Sequence, residues 1–136
     1  LRKLLVEVVT PEEVVYTSEV DMVIAPGSDG EVGILPLHAP FITTLDIGEL
    51  RLKIGQEQEY VAVHGGYLEV MEDKVIVLAD AAELASQIDI ERARKAKEKA
   101  EALLAKAEAG EGDLEQAQQA LARALLRLRV AERRSS

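Results

Sequence analysis

The chain changes character once, near residue 80, and that break limits its possible folds more than any other feature. All four prolines and seven of the nine glycines lie before residue 67, whereas residues 81–136 carry fifteen alanines and only two glycines, Gly110 and Gly112. Glycine and proline at short intervals punctuate strands, and an alanine-rich stretch almost free of both favours helix. The order is therefore α+β: an N-terminal flattened β-sandwich or barrel over 1–84, then a C-terminal antiparallel two-helix hairpin over 85–136.

Between the turn residues, short runs of Val, Ile and Leu read as strands at Leu4–Thr10, Val20–Ala25, Val32–Leu35, Glu49–Ile54, Tyr60–Val63, Tyr67–Met71 and Lys74–Leu78. Glu72-Asp73 joins the last two in a two-residue hairpin, although neither residue is the Asn or Gly that such turns prefer. Gly65-Gly66 reads as a bulge or a close backbone approach. In the second part, Asp89 caps one helix, which ends near residue 109, and Asp113 with Gln116 forms a capping box for the other. Ala93, Ala96, Ala100, Leu103 and Ala107 form a heptad seam in the first helix, and Leu114, Ala117, Leu121, Ala124, Leu128 and Ala131 form one in the second. A short loop makes the helices antiparallel. An alanine seam buries little apolar area, so the hairpin is expected to be weakly held and able to open or swing as a unit.

Composition excludes several functions. With 136 residues the chain has room for one large domain, or one small domain and an appendage. There is no cysteine, which removes disulfides, thiolate metal sites and thiol nucleophiles together. The longest uncharged stretch, Val32–Leu45, is fourteen residues and is broken by Pro36 and Pro40. That is too short to span a bilayer, so no membrane insertion is expected. No basic segment followed by an apolar run opens the chain, so no signal peptide is expected. Residues 1–84 hold 5 Lys+Arg and 16 Asp+Glu, net −11, while residues 85–136 hold 11 and 9, net +2. The acidic part argues against nucleic-acid binding, which depends on cations that displace counterions from phosphates.

Catalytic candidates are absent. His38 and His64 are the only histidines and lack a spaced partner ligand, so both read as turn or packing residues and no metal is expected. Gly27–Gly30 lacks the lysine and the following helix of a phosphate loop and reads as a β-turn. The cations of the helical part are more informative. On the heptad assignment above, Arg92, Lys99 and Lys106 fall on the g rim of the first helix, and Arg127 and Arg134 on the facing g rim of the second. Lys99 and Arg123 lie at equal heights above the loop. Such a rim is either a solvated basic face or a site for a phosphorylated ligand or an acidic protein surface, and the residues leave both open.

Taken along its length, the sequence resembles the epsilon subunit of the F-type ATP synthase. The resemblance is carried by Val8-Val9-Thr10-Pro11, by Gly30-Glu31-Val32-Gly33-Ile34-Leu35-Pro36 with His38 and Pro40, by Gly65-Gly66 with Leu68-Glu69-Val70, by Val77-Leu78-Ala79, and by Val130-Ala131-Glu132. It implies a non-catalytic rotor subunit, peripheral on the cytoplasmic face of the cell membrane. The sandwich would bind the gamma subunit and rest on the rotor c-ring, with Glu31 and His38 as partner contacts. The hairpin would inhibit ATP hydrolysis when extended, its Arg127 and Arg134 meeting the alpha and beta subunits. Some bacterial members also bind ATP through an Ile-Asp-x-x-Arg-Ala motif, matched here by Ile88, Asp89, Arg92 and Ala93. The same resemblance implies roles for an acid at Glu83 and for cations at Lys99, Arg123 and Arg127, with Lys99 standing where the family has arginine. ATP would then be a regulatory ligand, with no cofactor required. The alternative is an assembly clamp that binds no nucleotide.

Overall fold

The computed structural model describes residues 2–135, with the backbone alone at Ser135. The chain divides into two compact units, Leu1–Leu84 and Ala85–Ser136.

The first unit is built from β1 (Leu4–Val9), β2 (Val14–Val20), β3 (Met22–Gly27), β4 (Gly30–Ile34), β5 (Phe41–Ile54), β6 (Glu57–Met71), β7 (Lys74–Ala79) and β8 (Ala82–Leu84). The sheet runs β2-β1-β7-β6-β5-β3-β4, with β8 also on β6. All pairs are antiparallel except β1 with β7. The two long strands hold it together. β5 and β6 pair from Phe41↔Val70 to Ile54↔Glu57, and β6 exchanges its other neighbour from β8 at Val61–Val63 to β7 at Gly66–Met71. Their inward-facing residues switch phase on the way: Leu45 and then Leu50 and Leu52 in β5, Val61 and Val63 and then Leu68 and Val70 in β6. Each strand thus contributes to both layers of a folded-over sheet around one aliphatic core, which includes Leu4, Val6, Val8, Val23, Ile34, Val75 and Val77.

Several expected boundaries move. The separate strands at Tyr60–Val63 and Tyr67–Met71 are one strand, and the strand expected at Glu49 begins at Phe41. Val14–Glu19, not expected as strand, forms most of β2, and β8 is likewise additional. Gly65-Gly66 is not a bulge toward β5, since Leu45↔Gly66 and Ile47↔His64 keep one register across it. It is the close approach: a Cβ on Gly66, whose φ is +121°, would stand 2.1 Å from the Leu78 carbonyl oxygen. The Glu72-Asp73 turn is present, with both residues in the left-handed region (φ 50° and 62°) and Met71 paired to Lys74.

The second unit opens with a 3₁₀ turn at Ala85–Gln87, followed by α1 (Ile90–Glu108) and α2 (Leu114–Glu132). Both caps form as the sequence requires: Asp89 accepts from the Arg92 amide and Asp113 from the Gln116 amide, each at 3.1 Å. The helices pack on each other, and the 3₁₀ turn packs on α2. The seam differs by one position in α1. Ala93 and Ala100 are buried and Ala107 half-buried as expected, but Lys97 and Leu104 are half-buried where Ala96 and Leu103 are exposed. In α2, Ala117, Ala124 and Ala131 are buried, Leu121 and Leu128 half-buried and Leu114 exposed. Leu126 and Val130, off the predicted seam, are also buried.

Candidate functional site

The Ile88–Ala93 segment folds as it does because each residue has a local task. Ile88 is buried ahead of the helix, Asp89 caps it, Glu91 in the first turn pairs with Arg94, and Ala93 enters the seam. The Arg92 side chain projects from this turn and is exposed.

Opposite this turn lies the end of α2. One nitrogen of the Arg134 guanidinium donates to three carbonyls, Ala85 (3.1 Å), Ser86 (3.1 Å) and Ile88 (3.0 Å). A guanidinium N–H group among backbone carbonyls makes charge-assisted hydrogen bonds, which are stronger than neutral ones. Arg134 is therefore a clasp across the open end of the hairpin, in contact with the backbone of the Ile88 motif. The pairing of Arg134 with Ile88 also fixes the register of the antiparallel helices. It puts Lys99 level with Arg123, as expected, and Arg127 between Lys99 and Arg92 in height.

The two basic rims do not face each other. Moving the α1 seam from Ala96 and Leu103 to Lys97 and Leu104 turns that face by roughly 50°, half of one 100° helical step. Arg92, Lys99 and Lys106 accordingly lie on the outer side of α1, exposed, while Arg127 on α2 is half-buried. The cause is packing: α1 brings the aliphatic stem of Lys97 into the seam, which a reading of apolar residues alone passes over. Arg123 lines a groove of about 420 Å³ beside the hairpin loop, with Leu103, Asp113, Gln116 and Gln119. Glu83 belongs to the other unit, half-buried in β8 opposite Ala62.

In the β unit, Glu31 lies at the start of β4 and pairs with Arg51 at 2.8 Å. His38 follows the far end of the same strand. Its Nδ1 is 2.7 Å from the Ala39 carbonyl and its ring meets Phe41 edge-on at 5.8 Å, so it packs its own loop. Glu31 and His38 thus bracket β4 and do not form one cluster.

Sequence reasoning missed what holds the His38 loop. The His38 amide donates to the Leu35 carbonyl at 3.2 Å, closing a turn with Pro36 and Leu37 at its centre. Leu37 has φ 68°, the left-handed value that a type II turn asks of its third residue, where glycine is usual. A side chain there costs about 1–2 kcal/mol. Asp73, 36 residues away, secures it: Oδ1 accepts from the Leu37 amide at 2.6 Å and Oδ2 from Arg2 at 2.8–2.9 Å. The Leu37 amide, with Arg2 beside it, holds the Asp73 carboxyl below the usual carboxylate range. Asp21 is a second such tie, accepting from Lys3 and from the Gly55 amide, which lower its pKa in that order. Among the described residues no group of His, Cys, Asp or Glu is placed to hold a metal ion.

Residues 3–85 match the ATP synthase Delta/Epsilon chain beta-sandwich domain, and residues 86–132 match the long alpha-helix domain of the same chain. The chain belongs to the ATP synthase Delta/Epsilon chain family. Curated relatives within it include the ATP synthase epsilon chain of Desulforamulus reducens, 49% identical over 93% of this chain and 95% of that one. The epsilon chain of Syntrophobacter fumaroxidans is 50% identical over 96% and 97%. The epsilon-family fold is also found in a chain of the Euglena gracilis mitochondrial ATP synthase, in a structure of its OSCP, F1 and c-ring. The TM-score is 0.75, at 22% identity, over 96% of this chain and 81% of that one.

Proposed function

We propose that the chain is a non-catalytic central-stalk subunit of a proton-translocating ATP synthase, peripheral on the cytoplasmic face of the membrane. Its β unit binds the gamma subunit and the rotor c-ring through surfaces that include Glu31 and His38. Its hairpin restrains ATP hydrolysis by engaging the alpha and beta subunits through Arg127 and Arg134, and it takes ATP as a regulatory ligand. The observation that carries this reading is the match of both domains in order, with about half the residues identical to bacterial epsilon chains from end to end. An alanine-rich hairpin closed by a few polar ties supports a two-state element, since little burial is lost when it opens.

Deletion of residues 85–136 tests the regulatory part. The truncated chain is expected to remain on the complex and raise ATP hydrolysis several-fold; loss of association with no change in hydrolysis per complex would overturn it. ATP binding is tested by calorimetric titration of wild type and of an Arg92→Ala, Arg127→Ala double variant. Heat at one site per chain, abolished in the variant, supports an ATP sensor in the hairpin that includes Arg92 and Arg127.

A second reading has its own observation. Asp89 is already occupied as a helix cap and Arg92 and Lys99 point away from the α1 seam. On that ground the hairpin is an assembly clamp without nucleotide, and no heat from wild type at millimolar ATP would decide for it.

A further inference from the structure

The tether that leads from the β unit into α1 does not hold its own shape. Ala85–Gln87 is a single 3₁₀ turn, and its closing bond, from the Ile88 amide to the Ala85 carbonyl, is long at 3.5 Å. Short 3₁₀ turns bond with poorer geometry than α-helices, so this one depends on what surrounds it. The support comes from the other end of the hairpin. The turn packs on α2 and on a final 3₁₀ turn at Arg133–Ser135. From that final turn Arg134 donates to the carbonyls of Ala85, Ser86 and Ile88, 46–49 residues earlier in the chain. Ala85 and Ile88 are buried, whereas Ser86 and Gln87 between them are exposed.

We infer that Arg134 couples the tether to the hairpin: the tether stays coiled while the end of α2 lies beside the start of α1, and it uncoils when that end leaves. The inference deepens the two-state reading of the hairpin above and rests on it. One guanidinium nitrogen can reach all three carbonyls only while the turn aims them at one point, and the charge-assisted bonds it makes are what hold them there. Each arrangement stabilises the other, and a coupling of this kind is reciprocal. A residue in a 3₁₀ turn advances about 2 Å and an extended one about 3.3 Å, so uncoiling lengthens the tether. Separation of the helices and gain of reach are thereby a single event, and the hairpin is freed from its own contacts at the moment it can extend.

The test is hydrogen exchange on the full-length chain, read at the Ile88 amide in the tether and the Val130 amide in α2, with the Leu50 amide in the sheet as control. Arg134→Met keeps an aliphatic stem and removes every donor; exchange at Ile88 should quicken about tenfold and Leu50 should not change. Arg134→Lys keeps a cation with rotatable donors and should stay within about threefold of wild type. Ser86→Gly works from the other side, loosening the tether backbone while leaving the Ser86 carbonyl in place, and should quicken exchange about threefold at Ile88 and at Val130 alike. An Arg134 that serves only the end of α2 would raise exchange at Val130 in Arg134→Met and leave Ile88 as in wild type. The proposal is overturned by that result, by Arg134→Lys exchanging as fast as Arg134→Met, or by Ser86→Gly quickening Ile88 without Val130. Deletion of residues 85–136 with no effect on ATP hydrolysis would sink the regulatory reading instead, and these rates, which belong to the free chain, would stand.

Discussion

The two units close themselves by different means. Among the described residues, the β unit has a cluster of seventeen buried aliphatic residues, of which only Ala25 and Ala79 are alanines. In the hairpin unit six of the nine buried apolar residues are alanines, the others being Ile88, Leu126 and Val130. Full burial of a leucine or valine contributes about 1.5–3 kcal/mol and that of an alanine much less. The hairpin therefore depends on its ends, where Asp89 and Asp113 satisfy amides that helices leave open and Arg134 binds backbone carbonyls ahead of α1. A unit held mainly at its ends can be released by changing a few polar contacts, whereas a unit held by its core cannot.

That contrast can be broken at the core first, where the largest effect is expected. Leu50→Ala, at a side chain with no exposure, should destabilise the β unit by about 3 kcal/mol. Ala124→Gly in the middle of α2 should cost only about 1 kcal/mol. Denaturant unfolding followed by probes in each unit would measure both midpoints. A larger shift for Ala124→Gly than for Leu50→Ala would mean that the hairpin, not the sheet, is the well-packed unit.

The next effect sharpens the comparison at the clasp. Arg134→Ala removes three charge-assisted bonds and should cost about 1–2 kcal/mol of local stability. Hydrogen exchange should quicken in the last turns of α2 and the first of α1 while the β-sheet amides stay protected. Faster exchange confined to the sheet would show that Arg134 does not hold the hairpin.

Much of this was open to inspection in the sequence, and the reasons for the rest are physical. Helix ends are local events, so Asp89 and Asp113 could be placed as caps from neighbouring residues alone. Strand β2 fully buries only Val20 and leaves its other side chains half-buried or exposed without a regular alternation, so there is no period of two to read. Strands β5 and β6 were cut short because their inward phase flips where they pass between layers, which breaks a period of two. The basic rims were misplaced because one heptad position decides which side of α1 carries Arg92 and Lys99. The ties made by Asp73 and Arg134 had no local signal: the partners of Asp73 lie 36 and 71 residues away and those of Arg134 46–49.

A smaller effect comes from a single cap. Asp113→Ala leaves the Gln116 amide without its acceptor and should cost about 1 kcal/mol, confined to the start of α2. Helix content near 222 nm and exchange at residues 114–117 would register it. Asp113→Asn, which retains the acceptor, should restore most of the loss; if it does not, charge at the helix start matters more than the hydrogen bond.

The smallest effect is that of pH, and it also separates the units. Asp73 and Asp21 have folded pKa values held below the ordinary carboxylate value of 3.8, by the Leu37 amide and Arg2 in one case and by Lys3 and the Gly55 amide in the other. A carboxyl whose folded pKa is depressed contributes stability in full above its unfolded pKa, about 3.9, and loses it as pH falls through the lower folded value. The melting temperature of the β unit should therefore be level from neutral pH down to about 5 and decline below about 4. Both carboxylates are at the surface, where solvent screens them, so the decline should be gentle. Asp73→Asn removes one of the two titrations and should flatten the acid limb while leaving that of the hairpin unchanged. An unaltered limb in that variant would place the acid sensitivity on carboxylates other than these ties, and the loop at Leu37 would then be held by its backbone hydrogen bond regardless of charge.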